Sequence, residues 1–222
     1  MYLTLLAVNA RSRAAQRDLA NRYELHRTVM CLFPGIQSSN ARIEGQVLYR
    51  CDLRSDGRVS ILIQSSAPPN GSALAPDYLD KPLVPKELEP FLESLKAGDM
   101  LRFKLEANAS KRDIRTGKRV EVRGDEAQQA WLERQASRHG FELVRAGSGV
   151  ADARTQAAPK TLGWKNAEGD GGRRSLTFGC TTFEGLLRVT DPTRLCEAVR
   201  AGIGPAKAFG FGLLSLARPT PE

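Results

Sequence analysis

The chain has 222 residues, 41% of them hydrophobic, enough for one large domain or two small ones with packed cores. Its 33 lysines and arginines exceed its 25 acidic residues, and the net charge of +8 points to a polyanionic partner. Four cysteines without a C-x-x-C pair and only two histidines argue against a zinc site or a disulfide framework and fit reduced thiols in a cytoplasm.

Residues 2–8, YLTLLAV, are too short to span a bilayer and lack a preceding positive region. They read as a buried first strand, and no membrane segment is expected. A helix is expected from about Ser12, and Asn21 is placed to cap a second helical piece over 23–33, stopped by Pro34-Gly35. Residues 46–52 and 58–64 read as strands around a Ser55-Asp56-Gly57 hairpin turn. A long loop rich in proline, serine and glycine follows, then a short helix over 86–95 closed by Gly98. Residues 99–108 alternate as a strand, with Leu101, Phe103 and Leu105 on one face and Arg102, Lys104 and Glu106 on the other.

That order, β-α-β-β-α-β, is ferredoxin-like. It recurs as a pattern without sequence identity: a strand at 119–123, a helix at 126–139, strands at 141–146 and 175–190, a helix capped by Asp191 and ending near Gly202, and a last strand at 212–217. The expected fold class is α+β, two tandem ferredoxin-like domains at 1–116 and 117–222. Residues 147–174 are polar and glycine-rich, which fits either a disordered insertion or an extended hairpin that orders on a partner.

Three stretches bear on function. On a helix, Leu25, Val29, Leu32 and Phe33 form one apolar stripe with His26 at its edge. Tyr23, three residues earlier, is a surface neighbour of His26, and Arg27 follows on the solvent side. A half-exposed histidine beside a tyrosine and cations suits attack of a ribose 2′-OH on the adjacent phosphate, which needs proton removal, proton delivery and charge stabilisation. Histidine suits the proton work, since its unperturbed pKa is about 6.5. Tyrosine, with a pKa near 10, suits a positioning role, or a base role if neighbouring cations lower that value. Taken alone, the pair reads more readily as a helix-boundary tyrosine and histidine bonded to the backbone, since spacing by itself is a weak signal.

The second stretch is GIGPAKAFGFGLLSLA at 202–217, where glycines permit close backbone approach to a phosphate and Lys207 supplies charge. It lacks the order of a P-loop, and it reads equally as a structural loop before the last strand. The third is SKRDIRTGKR at 110–119, with Lys111, Arg112, Arg115, Lys118 and Arg119 around a Thr116-Gly117 turn, either a phosphate-following element or a solvated hairpin. Arg173-Arg174 and Trp164-Lys165 in the polar insertion make a weaker case of the same kind.

MYLTLLAV, YELHR followed by LFPG, ILIQS, LRFKLEAN, TFEGLLRVTD and the glycine-rich tail occur here in an order that resembles one family over nearly the whole chain. That family is the CRISPR RNA-processing endoribonucleases of the CasE type, subunits of the type I-E Cascade effector. The resemblance implies two ferredoxin-like, RNA-recognition-motif-like domains. It implies metal-independent cleavage of CRISPR repeat RNA at the 3′ base of its stem-loop, leaving a 2′,3′-cyclic phosphate. It implies that the product stays bound, and that the partners are this RNA and other Cascade subunits, with no cofactor. His26 would be the catalytic histidine, Tyr23 its companion, and the tail around Lys207 part of the RNA-binding surface. Lys111, Arg112 and Arg27 join as candidate RNA contacts, with Arg173 and Arg174 as stem-gripping candidates. One departure stands out: where the family pattern has R-A-N-P, this chain has Glu106-Ala107-Asn108-Ala109. A non-catalytic RNA-binding scaffold is the alternative, because the same fold also binds RNA without cutting it. A small-molecule enzyme would need clustered acids or metal ligands that the sequence lacks.

Overall fold

The structure is a computed structural model that describes residues 1–36, 40–54, 56–145, 153–166 and 173–219, with only the backbone described at 154, 157–166 and 173–176. The chain divides into two compact units. The first comprises Met1–Pro90, Lys160–Phe178 and Lys207–Gly210, and the second Phe91–Pro159, Gly179–Ala206 and Phe211–Glu222.

The first unit begins β1 (Tyr2–Val8), α1 (Arg13–Ala20), α2 (Arg22–Cys31), α3 (Ala41–Glu44), β2 (Leu48–Leu53), β3 (Val59–Ser65) and β4 (Lys86–Glu87). Its sheet runs β2-β3-β1-β4 with antiparallel neighbours. The register opposes Leu6 to Ile61 and Tyr49 to Ile63. One face of these alternating strands therefore meets the buried stripe Leu25, Val29, Leu32 and Phe33. Asn21 fixes where that stripe begins. Its backbone N–H donates to the Asp18 carbonyl that closes α1, while its side-chain oxygen accepts from the Tyr23 amide at 3.1 Å and opens α2. The cap thereby sets the helical phase that carries Tyr23 and His26.

The second unit is built from α4 (Glu89–Glu93), β5 (Met100–Ala107), β6 (Ser110–Arg112), β7 (Arg119–Glu121), α5 (Asp125–Arg138), β8 (Phe141–Leu143), β9 (Ala153–Asn166), β10 (Arg173–Val189), α6 (Pro192–Ala201) and β11 (Leu214–Ala217). α4, β9 and β10 each straddle a unit boundary in sequence. The sheet runs β11-β5-β10-β8, with β9 paired to β10. Leu105 opposes both Phe183 and Leu214, so the alternation read in β5 faces a core that includes Trp131, stacked on Phe183 at 5.8 Å. Asp191 caps α6, its carboxylate accepting from the Arg194 amide at 3.1 Å.

Counted from each unit's own first strand, both sheets have the spatial order fourth-first-third-second. The ferredoxin-like reading therefore holds, with different membership. The strand expected to close the first domain, at 99–108, is β5, and it opens the second sheet by pairing with β10 and β11. The first sheet closes instead with two-residue β4, inside the segment expected to be a helix over 86–95; helix there is confined to α4. Between β3 and β4 runs the long loop that was expected, with one 3₁₀ turn, Gly71–Ala73. The strand expected at 119–123 is β7, one arm of a separate two-stranded hairpin with β6. The first continuous segment thus ends at Pro90, whereas the boundary was expected near residue 116. The insertion expected over 147–174 contains paired strand at 153–166 and 173–174; 146–152 and 167–172 lie outside the described residues. No described helix is long and apolar enough to cross a membrane.

The Tyr78 hydroxyl donates to Asp18 Oδ2 at 3.0 Å in the interior of the first unit, and burial followed by the Asp18 charge pushes the phenol far above its usual range. Tyr78→Phe removes the donor and leaves that oxygen of a buried carboxylate unsatisfied. The variant is expected to lose about 1–3 kcal/mol of stability, read as a lower urea midpoint at unchanged slope.

Candidate catalytic histidine and nucleic-acid interface

α2 carries Tyr23 and His26 one turn apart, both half-buried, with Leu25 and Val29 wholly buried beneath them. Arg27 is exposed on the solvent side and pairs with Glu24 at 3.2 Å, an exposed contact that leaves the guanidinium open to a competing anion. The His26 Nδ1 is buried and has no hydrogen-bond partner among the described residues. The imidazole pKa is lowered, first by burial and second by the charge of Arg42 in α3. Burial also lowers the Arg42 guanidinium from its ordinary value. Both causes favour the neutral form of the ring, whose Nδ1 is turned away from solvent.

The His26 ring lies nearly parallel to the Tyr49 ring, at 15° with centroids 6.4 Å apart. Tyr49 is only 1% exposed, and its hydroxyl donates to the Ala208 carbonyl at 2.9 Å. Ala208 is the middle residue of the 3₁₀ turn Lys207–Phe209, which packs against α2 and β2. Gly210 follows at φ +87°, where a Cβ would stand 2.9 Å from the Tyr49 ring and 3.0 Å from the Arg22 guanidinium. Only glycine fits there, for conformational and for packing reasons. Phe209 meets Phe178 with centroids 4.4 Å apart.

Tyr23, His26, Arg27 and Lys207 therefore all lie in the first unit, with Lys207 half-buried on its turn. The expectation that the glycine-rich tail belongs wholly to a C-terminal domain is corrected by this contact set. The backbone of Arg173 and Arg174 is grouped with the same unit, while their side chains, like those of Trp164 and Lys165, lie outside the described residues.

Lys111 and Arg112 sit elsewhere, exposed on β6 in the second unit. Their hairpin has a built turn. One Asp113 oxygen accepts from the Thr116 amide at 2.8 Å, the Arg115 amide at 2.9 Å and the Thr116 hydroxyl at 3.0 Å. These bonds, Thr116 foremost, lower the Asp113 pKa, so the acid is consumed within the turn. The root is fixed as well: the Trp131 indole donates to the Ser110 carbonyl at 3.2 Å, and Glu121 fills the space where Gly179 lacks a side chain. Around this frame Lys111, Arg112, Arg115, Lys118 and Arg119 all face solvent.

Glu106, at the departure from the R-A-N-P pattern, is an interior residue. Its carboxylate accepts from the Cys180 thiol at 3.2 Å, and its carbonyl accepts from the Gly212 amide at 2.8 Å. The acid is therefore a packing partner of β10 and the tail, not a surface charge opposing RNA.

Sequence reasoning missed Tyr49, Arg42 and Arg22. Tyr49 lies in the strand LYRCDL, and nothing in its local sequence signals contact with α2 or with a turn 159 residues away. No three of His, Cys, Asp and Glu come together as a metal-ligand set among the described residues.

The whole chain has known relatives. A family model described as CRISPR associated protein matches residues 1–218. The chain is 39% identical to the CRISPR-associated endoribonuclease Cse3 of Thermus thermophilus, over 98% of this chain and 100% of that one. It is 31% identical to the CRISPR system Cascade subunit CasE of Escherichia coli, over 98% and 99% of the two chains. A solved structure of CRISPR endoribonuclease Cse3 bound to a 19-nucleotide RNA superposes with a TM-score of 0.81 at 38% identity, covering 98% of this chain and all of that one. With the two sheets, the histidine helix and the basic surfaces in the same chain, these matches establish that the protein belongs to the CRISPR-associated family that includes Cse3 and CasE.

Proposed function

We propose that this chain is a metal-independent cytoplasmic endoribonuclease that cuts CRISPR repeat RNA at the base of its stem-loop and keeps the product as a Cascade subunit. Its relatives Cse3 and CasE are named as an endoribonuclease and a Cascade subunit, and a Cse3 structure holds RNA. The observation that carries the chemical reading is His26: a half-exposed imidazole held neutral, on the helix against which the Lys207 turn packs.

The reaction follows from that arrangement. Neutral His26 takes the proton of the ribose 2′-OH as the O2′–P bond forms. The P–O5′ bond breaks, a solvent water gives the 5′-oxygen its proton and is restored by the proton that His26 took up, and the products are a 2′,3′-cyclic phosphate and a 5′-hydroxyl. Lys207 stabilises the added negative charge on phosphorus, and Tyr23 positions the strand beside the imidazole. Arg27, with Arg173 and Arg174, adds phosphate contacts. The β6–β7 hairpin, with Lys111 and Arg112, follows the RNA backbone by charge, because an A-form duplex is recognised by shape and phosphates.

Cleavage in EDTA by wild type, beside His26→Ala, tests the reading. The variant is expected to bind stem-loop RNA as wild type does and to cut it about 10²–10⁴-fold more slowly. Equal cutting by both would remove His26 from the chemistry, and intact RNA tightly bound by both would make the chain a scaffold.

The pH dependence carries a sign. Activity requires the neutral ring, so the rate is expected to fall as pH drops through a pKa below the ordinary histidine value. Arg42→Met removes the second of the two causes that lower that pKa and leaves burial in place, so the acid limb of its single-turnover profile is expected to move upward. A limb that moves downward or stays fixed would contradict the electrostatic account.

The hairpin makes a thermodynamic prediction. Lys111→Ala with Arg112→Ala is expected to weaken RNA binding uniformly across stem sequences. The plot of log affinity against log salt should flatten by about 0.7–0.9 per lost contact, measured by filter binding.

A further inference from the structure

His26 and Lys207 come from distant parts of the chain, yet one side chain touches what carries both. Tyr49 sits almost wholly buried in β2, its ring parallel to the His26 imidazole and its hydroxyl on the carbonyl of Ala208, the residue after Lys207. From the other side Gly210 closes on the edge of the same ring, leaving no space for a Cβ. All these contacts lie within the first unit. A buried phenol with its one donor committed is a fixed strut: moving it breaks a hydrogen bond that water cannot replace. The histidine has no partner at Nδ1 among the described residues, so its orientation depends on what packs against its ring.

We propose that Tyr49 is a positioning residue for the cleavage reaction, setting the plane of the His26 imidazole with its ring and the place of Lys207 with its hydroxyl. This rests on the assignment of His26 and Lys207 above. Tyr49 itself touches neither RNA nor a reacting atom. Its two ends act separately, and that separation makes it testable. Tyr49→Phe keeps the ring against His26 and releases only the Lys207 turn. Gly210→Ala displaces the same turn from the opposite side.

The experiment is single-turnover cleavage of stem-loop repeat RNA at saturating protein. It compares wild type, His26→Ala, Lys207→Ala, Tyr49→Phe, Gly210→Ala and the double variant Tyr49→Phe with Lys207→Ala. Tyr49→Phe is expected to cut about fivefold to tenfold more slowly, the rate equivalent of one neutral hydrogen bond. Its acid limb should match wild type, because the ring against His26 is unchanged, and Gly210→Ala should be slowed as well. The double variant should be no slower than Lys207→Ala alone, because the hydroxyl works through that lysine. A general packing defect would instead multiply the two losses, and that result overturns the proposal. Tyr49→Phe cutting at the wild-type rate, while His26→Ala is inactive, overturns it and leaves His26 in place. His26→Ala cutting like wild type overturns both.

Discussion

The hydrogen bond from the Tyr49 hydroxyl to the Ala208 carbonyl, made in the interior of the first unit, ties a late segment of the chain to the strand β2. The first continuous segment of that unit ends at Pro90, yet residues 207–210 belong with it. They do so because a buried phenol meets a backbone acceptor there and Gly210 offers no side chain to obstruct the approach. The glycine-rich tail had two sequence readings, as a phosphate-approaching loop or as a packing loop. For Gly210 the packing account is sufficient. Lys207, half-exposed on the turn so fixed, is the residue left for charge. One segment can therefore carry both readings, packing at Gly210 and the charge proposed for Lys207.

Much of the local structure was legible in the sequence. Asn21 was placed as a cap from its residue type and the stripe after it, and the cap bond is present. The alternation at 101, 103 and 105 identified a strand with a buried face, and those residues are buried. It could not identify the sheet. A period of two reports which face of a strand is covered and nothing about which strand lies alongside. β5 was accordingly assigned to the domain before it, and the domain boundary moved with it. The short β4 escaped for a related reason: two residues hold no period, and their pairing with Tyr2 and Leu3 is set by the far end of the chain segment.

The candidate site was legible in the residue types proposed for the chemistry and illegible in what packs around them. Histidine beside tyrosine on a helix announces itself by residue type. Tyr49 and Arg42 bear on the imidazole from elements that sequence distance conceals, and each reads locally as core or as surface charge. The same distinction explains Glu106. By type it looked like an acid intruding on a phosphate-binding strand end. Its bonds to Cys180 and Gly212 show it is spent inside the second unit. Asp113 is likewise consumed, by the turn of the β6–β7 hairpin, so the five cations around it face solvent with their nearest acid already committed. The net charge of +8 thus understates how basic this hairpin is as a local surface.

The imidazole closes the argument. In hydrolases that use a histidine as base, a carboxylate at the second ring nitrogen commonly fixes tautomer and orientation together. Here that nitrogen is buried with no partner among the described residues, and no carboxylate appears among the causes of the pKa shift. Orientation must then come from packing, which the parallel Tyr49 ring and the buried Leu25 and Val29 provide. Burial and the Arg42 charge both favour the neutral form of the ring, the form that can take up a proton. A histidine whose neutral form is favoured by burial, with its ring set by packing, suits the base role proposed for it in a 2′-hydroxyl attack.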